Sequence, residues 1–284
     1  MQTKISSASK EVVIGDNRPT VIIGERINPT GKKKFQEELK AGNLETARAE
    51  AVAQRRAGAD ILDVNVGVFG IDEEALLPRV VQEVASLVDT PLCIDSANPD
   101  ALEAALKVYR GKALVNSVSG EERSLDRVLP LVKNYGAAVI GLVQDDEGIP
   151  QDTEKRVAVA RKIVERAEAM GIAREDILID VETFSVGADA TAGPKIIEAI
   201  RRIHSELGVN VTLAVSNVSF GLPDRPLLNN AFAAMAIAAG ATSFIADIVK
   251  IQPAVLAADL IYGRDRRSRR YIGAYRARLN TEEI

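Results

Sequence analysis

Short runs of apolar and β-branched residues alternate with longer stretches of helical periodicity along almost the whole chain. The apolar runs fall at Val21 to Gly24, Ile61 to Val66, Leu92 to Asp95, Ala113 to Asn116, Ala138 to Leu142, Ile177 to Asp180, Val211 to Ser216 and Ser243 to Ala246. Between them the spacing predicts helices over Leu44 to Ala57, Glu73 to Val88, Pro99 to Tyr109, Ser124 to Tyr135, Thr153 to Met170, Pro194 to Leu207, Pro226 to Ala239 and Pro253 to Tyr262. Gly58, Gly171 and Gly240 close three of these helices, as expected where the chain turns left-handed at a helix end. Strands and helices in alternation require a parallel sheet covered by helices. About eight repeats point to a closed (β/α)8 barrel, the TIM barrel of the α/β class. An open doubly wound sheet is the alternative. The barrel is expected as a single domain over residues 19–262, with an N-terminal arm at 1–18 and a basic extension at 263–284.

Polar residues end nearly every apolar run. Glu25, Arg26 and Asn28 follow the first, Asp63 and Asn65 close ILDVNVG, and Asp95 and Ser96 close LCIDS. Asn116 and Ser117 lie in LVNSVS, Asp180 and Glu182 in ILIDVET, Ser216 and Asn217 in LAVSNVS, and Asp247 in FIADI. Any one of them is explained as a helix cap or turn former. Repetition at successive strand ends describes a shared polar mouth instead, at the end of a barrel where active sites form. Carboxylates and carboxamides converging there, with neither Lys nor His among them, suit a neutral, flat ligand rich in hydrogen-bonding groups. A pterin fits, because its aminopyrimidinone edge offers paired N–H donors to a carboxylate.

Composition narrows the chemistry. With 284 residues, 46% of them hydrophobic, the chain can bury one large core without a second domain. A formal net charge of -4, with both signs interspersed, gives no field that selects nucleic acid. Neither GxGxxG nor a P-loop string occurs, which disfavours nucleotide cofactors. One cysteine, Cys93, excludes an internal disulfide framework, and one histidine, His204, removes most metal sites built from His and Cys. Cys93 reads as a small core residue and His204 as a structural one. The polar N-terminus has no apolar leader and no later run is long enough to span a bilayer, so a cytoplasmic protein without membrane contact is expected.

Six motifs carry a resemblance to a known family: IIGERINPTG at Ile22 to Gly31, DVNVG at Asp63 to Gly67, CIDS at Cys93 to Ser96, VNSVS at Val115 to Ser119, YGAAVIGL at Tyr135 to Leu142 and SNVSFG at Ser216 to Gly221. In this order, over roughly Val21 to Ile248, the chain resembles the pterin-binding methyltransferases. These include the folate domain of cobalamin-dependent methionine synthase and the methyltetrahydrofolate:corrinoid/iron-sulfur protein methyltransferases. The resemblance implies an enzyme that moves a methyl group, in either direction, between N5 of tetrahydrofolate or 5-methyltetrahydrofolate and the cobalt of a corrinoid (cobalamin). It implies that Asp95, Asn116 and Asp180 bind the pterin ring, with Asp63 and Asn65 lining the same mouth. Asn217 would hydrogen-bond the N5 region and stabilise its protonated form, and Arg225 would lie near the folate tail. The corrinoid-binding string DxHxxG is absent, so the corrinoid is expected on a separate partner protein. A homodimer is expected for the chain itself.

Two loops bear on the resemblance. Asp180 is followed by Val181, Glu182 and Thr183 where the family reads Asp-Pro and then Asn or Leu. Phe220 in SNVSFG matches the synthase more than the corrinoid/iron-sulfur enzymes. A rival within the fold is dihydropteroate synthase, whose hallmark loop resembles NVTPDSFSDGG; ERINPTGKKKFQ stands here in its place. A rival from another class is a folate-binding or corrinoid-docking protein without turnover. The run RDRRSRRYIGAYRAR reads as a solvated helix or a contact that aids docking or dimerisation.

Overall fold

The computed structural model describes residues 1–282. An antiparallel hairpin opens the chain, formed by β1 (Gln2–Ser6) and β2 (Glu11–Gly15). Eight parallel strands follow: β3 (Val21–Ile27), β4 (Ile61–Asn65), β5 (Leu92–Asp95), β6 (Leu114–Ser119), β7 (Ala138–Leu142), β8 (Ile177–Asp180), β9 (Asn210–Thr212) and β10 (Ser243–Ala246). They pair in chain order, with β10 returning to β3. The ring closes between β9 and β10 through one bridge, Ala214 to Ile245, and through the N–H groups of Thr242 and Ile245, which donate to the carbonyls of Val211 and Leu213 at 2.9 and 3.0 Å. The expected eight-stranded barrel is therefore the observed one, and the open sheet is not.

Ten helices accompany the strands: α1 (Lys33–Lys40), α2 (Glu45–Ala57), α3 (Glu73–Leu87), α4 (Pro99–Val108), α5 (Glu122–Tyr135), α6 (Thr153–Ala169), α7 (Ala192–Arg202), α8 (Arg225–Ala239), α9 (Ile248–Ile261) and α10 (Arg269–Glu282). Asp72, Asn98 and Asp152 accept backbone N–H bonds at the starts of α3, α4 and α6, so these strand-side polar residues are caps. None of the described helices is long and apolar enough to cross a membrane.

Three local differences from the sequence expectations have physical causes. Helix α9 begins at Ile248, one turn before Pro253, because Ile248 and Ile251 are buried and a proline near a helix start removes few backbone bonds. The strand expected to reach Ser216 stops at Thr212, and Val215–Ser219 coil into a 3-10 turn that carries Asn217. Helix α1, too short to show a clear period, buries Phe35 and Leu39 beside the first strand's loop.

Side-chain alternation along the strands divides the core in two. Ile22, Leu62, Val64, Leu92, Ile94, Val115, Val139 and Ile179 pack outward against the helices. Val21, Ile23, Ile61, Cys93, Leu114, Ala138, Ile140 and Leu178 point into the barrel and fill its lower half. One step of the same inward series further up come Asp63, Asp95, Asn116 and Asp180, with Asn65 a second step along β4. The period of two that makes the core thus delivers the polar mouth.

The N-terminal arm is part of this construction. Ile5 and Ile14 of the hairpin are fully buried and join the inner cluster from below. Asn210 on β9 donates to the Thr3 hydroxyl at 2.8 Å and to the Ile14 carbonyl at 3.3 Å, and Ser6 N–H donates to the Lys112 carbonyl at 2.9 Å. The hairpin therefore plugs the N-terminal end of the barrel. The first residues of the C-terminal extension are likewise structural. Arg264 is buried and donates to the Thr20 hydroxyl and the Ala241 carbonyl, while Thr20 donates through N–H and hydroxyl to buried Asp259 at 2.8 and 2.7 Å. The single histidine, His204, faces Asp16, which follows β2, at 3.3 Å and does not line the polar mouth.

Replacing Ile14 by Ala should cost about 2–4 kcal/mol of stability, the range for emptying a fully buried aliphatic site. Urea unfolding of the variant checks this, and an unchanged midpoint would mean that the hairpin does not support the barrel.

Candidate active site

A cavity of about 650 Å³ opens at the C-terminal ends of the strands. Asp63, Asp95, Asn116, Asp180, Asn217 and Arg225 all line it. Asn65 does not. Its carbonyl oxygen accepts the Gly67 N–H at 2.7 Å, which turns its amide toward Asp95, where it hydrogen-bonds the carboxyl. Asn65 thus orients Asp95 without lining the cavity itself.

Two acid pairs dominate the wall. Asp63 and Asp95 share the hydrogen-bonded floor between β4 and β5, with Asn116 donating to Asp63 Oδ1 at 3.1 Å. Burial, and after it the Asp95 charge, push the Asp63 carboxyl well above the usual carboxylate range. Burial raises Asp95 to about 6, opposed by its hydrogen bonds with Asn65 and Asp63. Cys93 beside them is fully buried and hydrogen-bonded to Asp63; burial raises its thiol well above the ordinary value, so it is inert. Across the cavity, Asp180 accepts the Glu182 N–H at 2.7 Å and is raised to about 7 by burial. Glu182 also reaches about 7, through burial first and the Asp180 charge second. Acids held near neutrality in this way exchange protons and hydrogen bonds with a ligand at working pH.

The absence of lysine from the mouth, expected from the strand ends, is corrected by the loop after β3. Gly31 takes a left-handed φ of 73° and Lys32 swings into the wall, where its ammonium donates to the Arg26 carbonyl at 2.7 Å. Burial and the neighbouring Arg26 lower the Lys32 pKa. Glu25 sits beside it, its carboxyl raised by burial and by Asp247. Lys32 lies five residues beyond the end of the strand, so no strand-end pattern points to it.

Asn217 occupies the rim. The 3-10 turn leaves its side chain exposed, and among the described residues its carboxamide has no hydrogen-bond partner. Arg225 fixes that turn: its Nε donates to Ser219 Oγ at 3.1 Å and its Nη2 to the Ser216 carbonyl at 2.7 Å, with Phe220 stacked at 5.9 Å. On the neighbouring loop, buried Arg156 of α6 donates to the carbonyls of Val181 and Glu182 and packs over Phe184 at 5.1 Å. Among the described residues no group of three or more His, Cys, Asp or Glu side chains is arranged to hold a metal ion.

An acid-rich barrel mouth with a free amide at its rim is compatible with several ligands, and comparison with known proteins decides the family. The family described as pterin binding enzyme matches residues 24–247. The chain belongs to this family.

Within the pterin-binding enzymes, the methylcorrinoid:tetrahydrofolate methyltransferase of Eubacterium limosum is 34% identical over 266 residues, covering 90% of this chain and 96% of that protein. The methionine synthase of Mycobacterium tuberculosis is 31% identical over 286 residues, and there the chain spans 93% of its own length but 24% of the synthase. Solved dihydropteroate synthases share the fold. That of Yersinia pestis gives a TM-score of 0.70 at 17% identity, covering 93% of this chain and 100% of that one. That of Xanthomonas albilineans gives 0.68 at 21% identity, covering 92% and 99%. At these identities the likeness speaks for the barrel alone.

Raised acids make stability depend on pH with a definite sign. Asp180 takes up a proton near pH 7 in the folded chain but near 4 when unfolded, so between those values the folded state binds more protons and stability falls as pH rises. Asp180→Asn should therefore raise the unfolding midpoint at pH 8 by roughly 2–4 °C and give no gain at pH 4. Thermal unfolding at the two pH values measures it; equal effects at both would mean that Asp180 titrates normally.

Proposed function

We propose that the chain transfers a methyl group between N5 of tetrahydrofolate and the cobalt of a corrinoid carried by a separate protein. The observation that supports this best is the unpartnered Asn217 carboxamide at the rim of a cavity whose floor and far wall are acid pairs. The floor acids and Asn116 suit the donor-rich pterin ring. Seated on them, the ring has Asn217 as the neutral group available to its N5 side. The 34% identity to a methylcorrinoid:tetrahydrofolate methyltransferase, along nearly all of both chains, supports the same assignment.

A reduced corrinoid would supply the strong nucleophile that accepts a methyl group, and a methylated corrinoid would supply the methyl in the reverse sense, its cobalt keeping the electron pair of the broken cobalt–carbon bond. The chain's own residues govern the nitrogen. A methyl leaves N5 readily only if that nitrogen gains a proton, because an amide-like anion is a poor leaving group. Asn217 can donate through its NH2 group or accept through its carbonyl, so it stabilises N5 whether or not the proton is present. Arg225 holds the turn and thereby positions Asn217, and its cationic side chain would suit the carboxylates of a folate tail. In the reverse sense, N5 of tetrahydrofolate forms the new bond to the methyl and releases its proton, which Asn217 helps pass to water. A shared transition state serves both directions.

The test is anaerobic methyl transfer between a methylated corrinoid protein and tetrahydrofolate, followed through the corrinoid spectrum. Asn217→Ala should slow transfer by roughly 100- to 1000-fold, the loss typical of removing one transition-state hydrogen bond. Folate binding should change much less. Undiminished transfer by the variant would remove the role assigned to Asn217, and no transfer by the wild type with any corrinoid protein would favour a folate-binding protein without turnover.

A further inference from the structure

The loop after β8 holds two buried polar atoms without hydrogen-bond partners, Glu182 Oε2 and Thr183 Oγ1, and Arg156 Nε on α6 behind it is a third. Buried polar groups are normally paired, so two adjacent orphans on one wall mark a place where a ligand or water belongs. Glu182 and Thr183 both line the cavity, and Thr183 is 8% exposed. Glu182 holds a left-handed φ of 53°, a conformation that costs a non-glycine residue. Arg156 secures it by donating to the carbonyls on either side of that peptide. The backbone is thus bent, and held bent, in a way that keeps the Glu182 side chain in the wall next to Asp180.

Two adjacent carboxyls that hold one proton near neutral pH present one acceptor and one donor. The lactam edge of a pterin presents the complementary pair, a ring N3–H donor beside a C4 carbonyl acceptor. Resting on the pterin reading above, we propose that Asp180 and Glu182 bind this edge as one proton-sharing unit, with ionised Asp180 accepting from N3–H and neutral Glu182 donating to the C4 carbonyl. Glu182 is then a ligand-binding residue at the position where the resembling enzymes carry a neutral Asn or Leu. The raised values of both acids, each about 7, agree with one proton held between them at neutral pH.

Other charges bear on the pair. Arg156 on α6 attracts both carboxylates, with Asp152 at the start of that helix beside it. The 3-10 turn packed against the loop carries no charge of its own, and the charged group bonded to it is Arg225 at the start of α8. Across the cavity stand Glu25, Lys32, Asp63 and Asp95. Asp95, at about 6, contributes to the acid side of any titration and not to the alkaline side.

Anaerobic calorimetric titration of the intact chain with tetrahydrofolate between pH 5.5 and about 8.5 tests the proposal. Wild-type affinity should peak near neutrality and fall on the alkaline side by about tenfold per pH unit once the shared proton is lost. Glu182→Gln keeps an N–H donor that cannot ionise; it should hold neutral-pH affinity and lose the alkaline fall while keeping the acid one. Glu182→Ala should bind about tenfold more weakly at neutral pH. Unfolding midpoints close to wild type establish that both variants are folded. An alkaline fall that survives in Glu182→Gln, or wild-type affinity in Glu182→Ala, would overturn the proposal while leaving the pterin reading intact. No tetrahydrofolate binding by the wild type at any pH would remove both.

Discussion

Desolvation of carboxyl groups is the constraint on which this structure turns. The inward series of a barrel strand ordinarily continues as apolar side chains, and here it switches to acids and amides one step below the mouth. Asp63 and Asp180, both nearly inaccessible, are therefore driven to hold protons that an exposed aspartate would release. The cost to stability is accepted at the same place where a donor-rich ring can be bound. Everything beneath serves to make that tolerable: the apolar lower barrel, the Ile5 and Ile14 plug, and the Thr20–Asp259–Arg264 network at the base.

The two acid pairs differ in their support, and that difference gives the cavity direction. Asp63 and Asp95 are braced by amides, Asn116 and Asn65, whose hydrogen-bonding sense is fixed by their neighbours. Asp180 and Glu182 are braced by backbone N–H and a buried guanidinium, leaving Glu182 without a partner of its own. Asn217 stands apart from both on a turn secured by Arg225. A flat ligand seated between the pairs would present one end to acids that hold protons near neutrality and another to a free amide.

Much of this was legible in the chain. Strand-end acids such as Asp63, Asp95 and Asp180 announce themselves because the period of two that buries Ile61, Cys93 and Leu178 must carry the next inward residue into the barrel. Asn217 was legible through its motif, although its turn was not, since VSNVS has the β-branched content of a strand. Contacts between distant segments were hidden. Nothing in Arg156 or Arg264 distinguishes them from surface arginines until α6 meets the β8 loop and the C-terminal segment meets Thr20. Lys32 was hidden by a glycine turn, Asn65 read as a wall residue because alternation fixes its side of the sheet but not its depth, and the hairpin read as a polar arm because β1 and β2 bury few residues each.

The division of labour we propose is simple: the chain would seat and activate the folate, and the cobalt would come from a partner. The most direct test is a crystal structure of the chain grown with tetrahydrofolate under anaerobic conditions. The pterin is expected between the two acid pairs, its lactam edge on Asp180 and Glu182 and its N5 within hydrogen-bonding distance of Asn217. A pterin bound outside this cavity, or seated in it with N5 turned away from Asn217, would contradict the account.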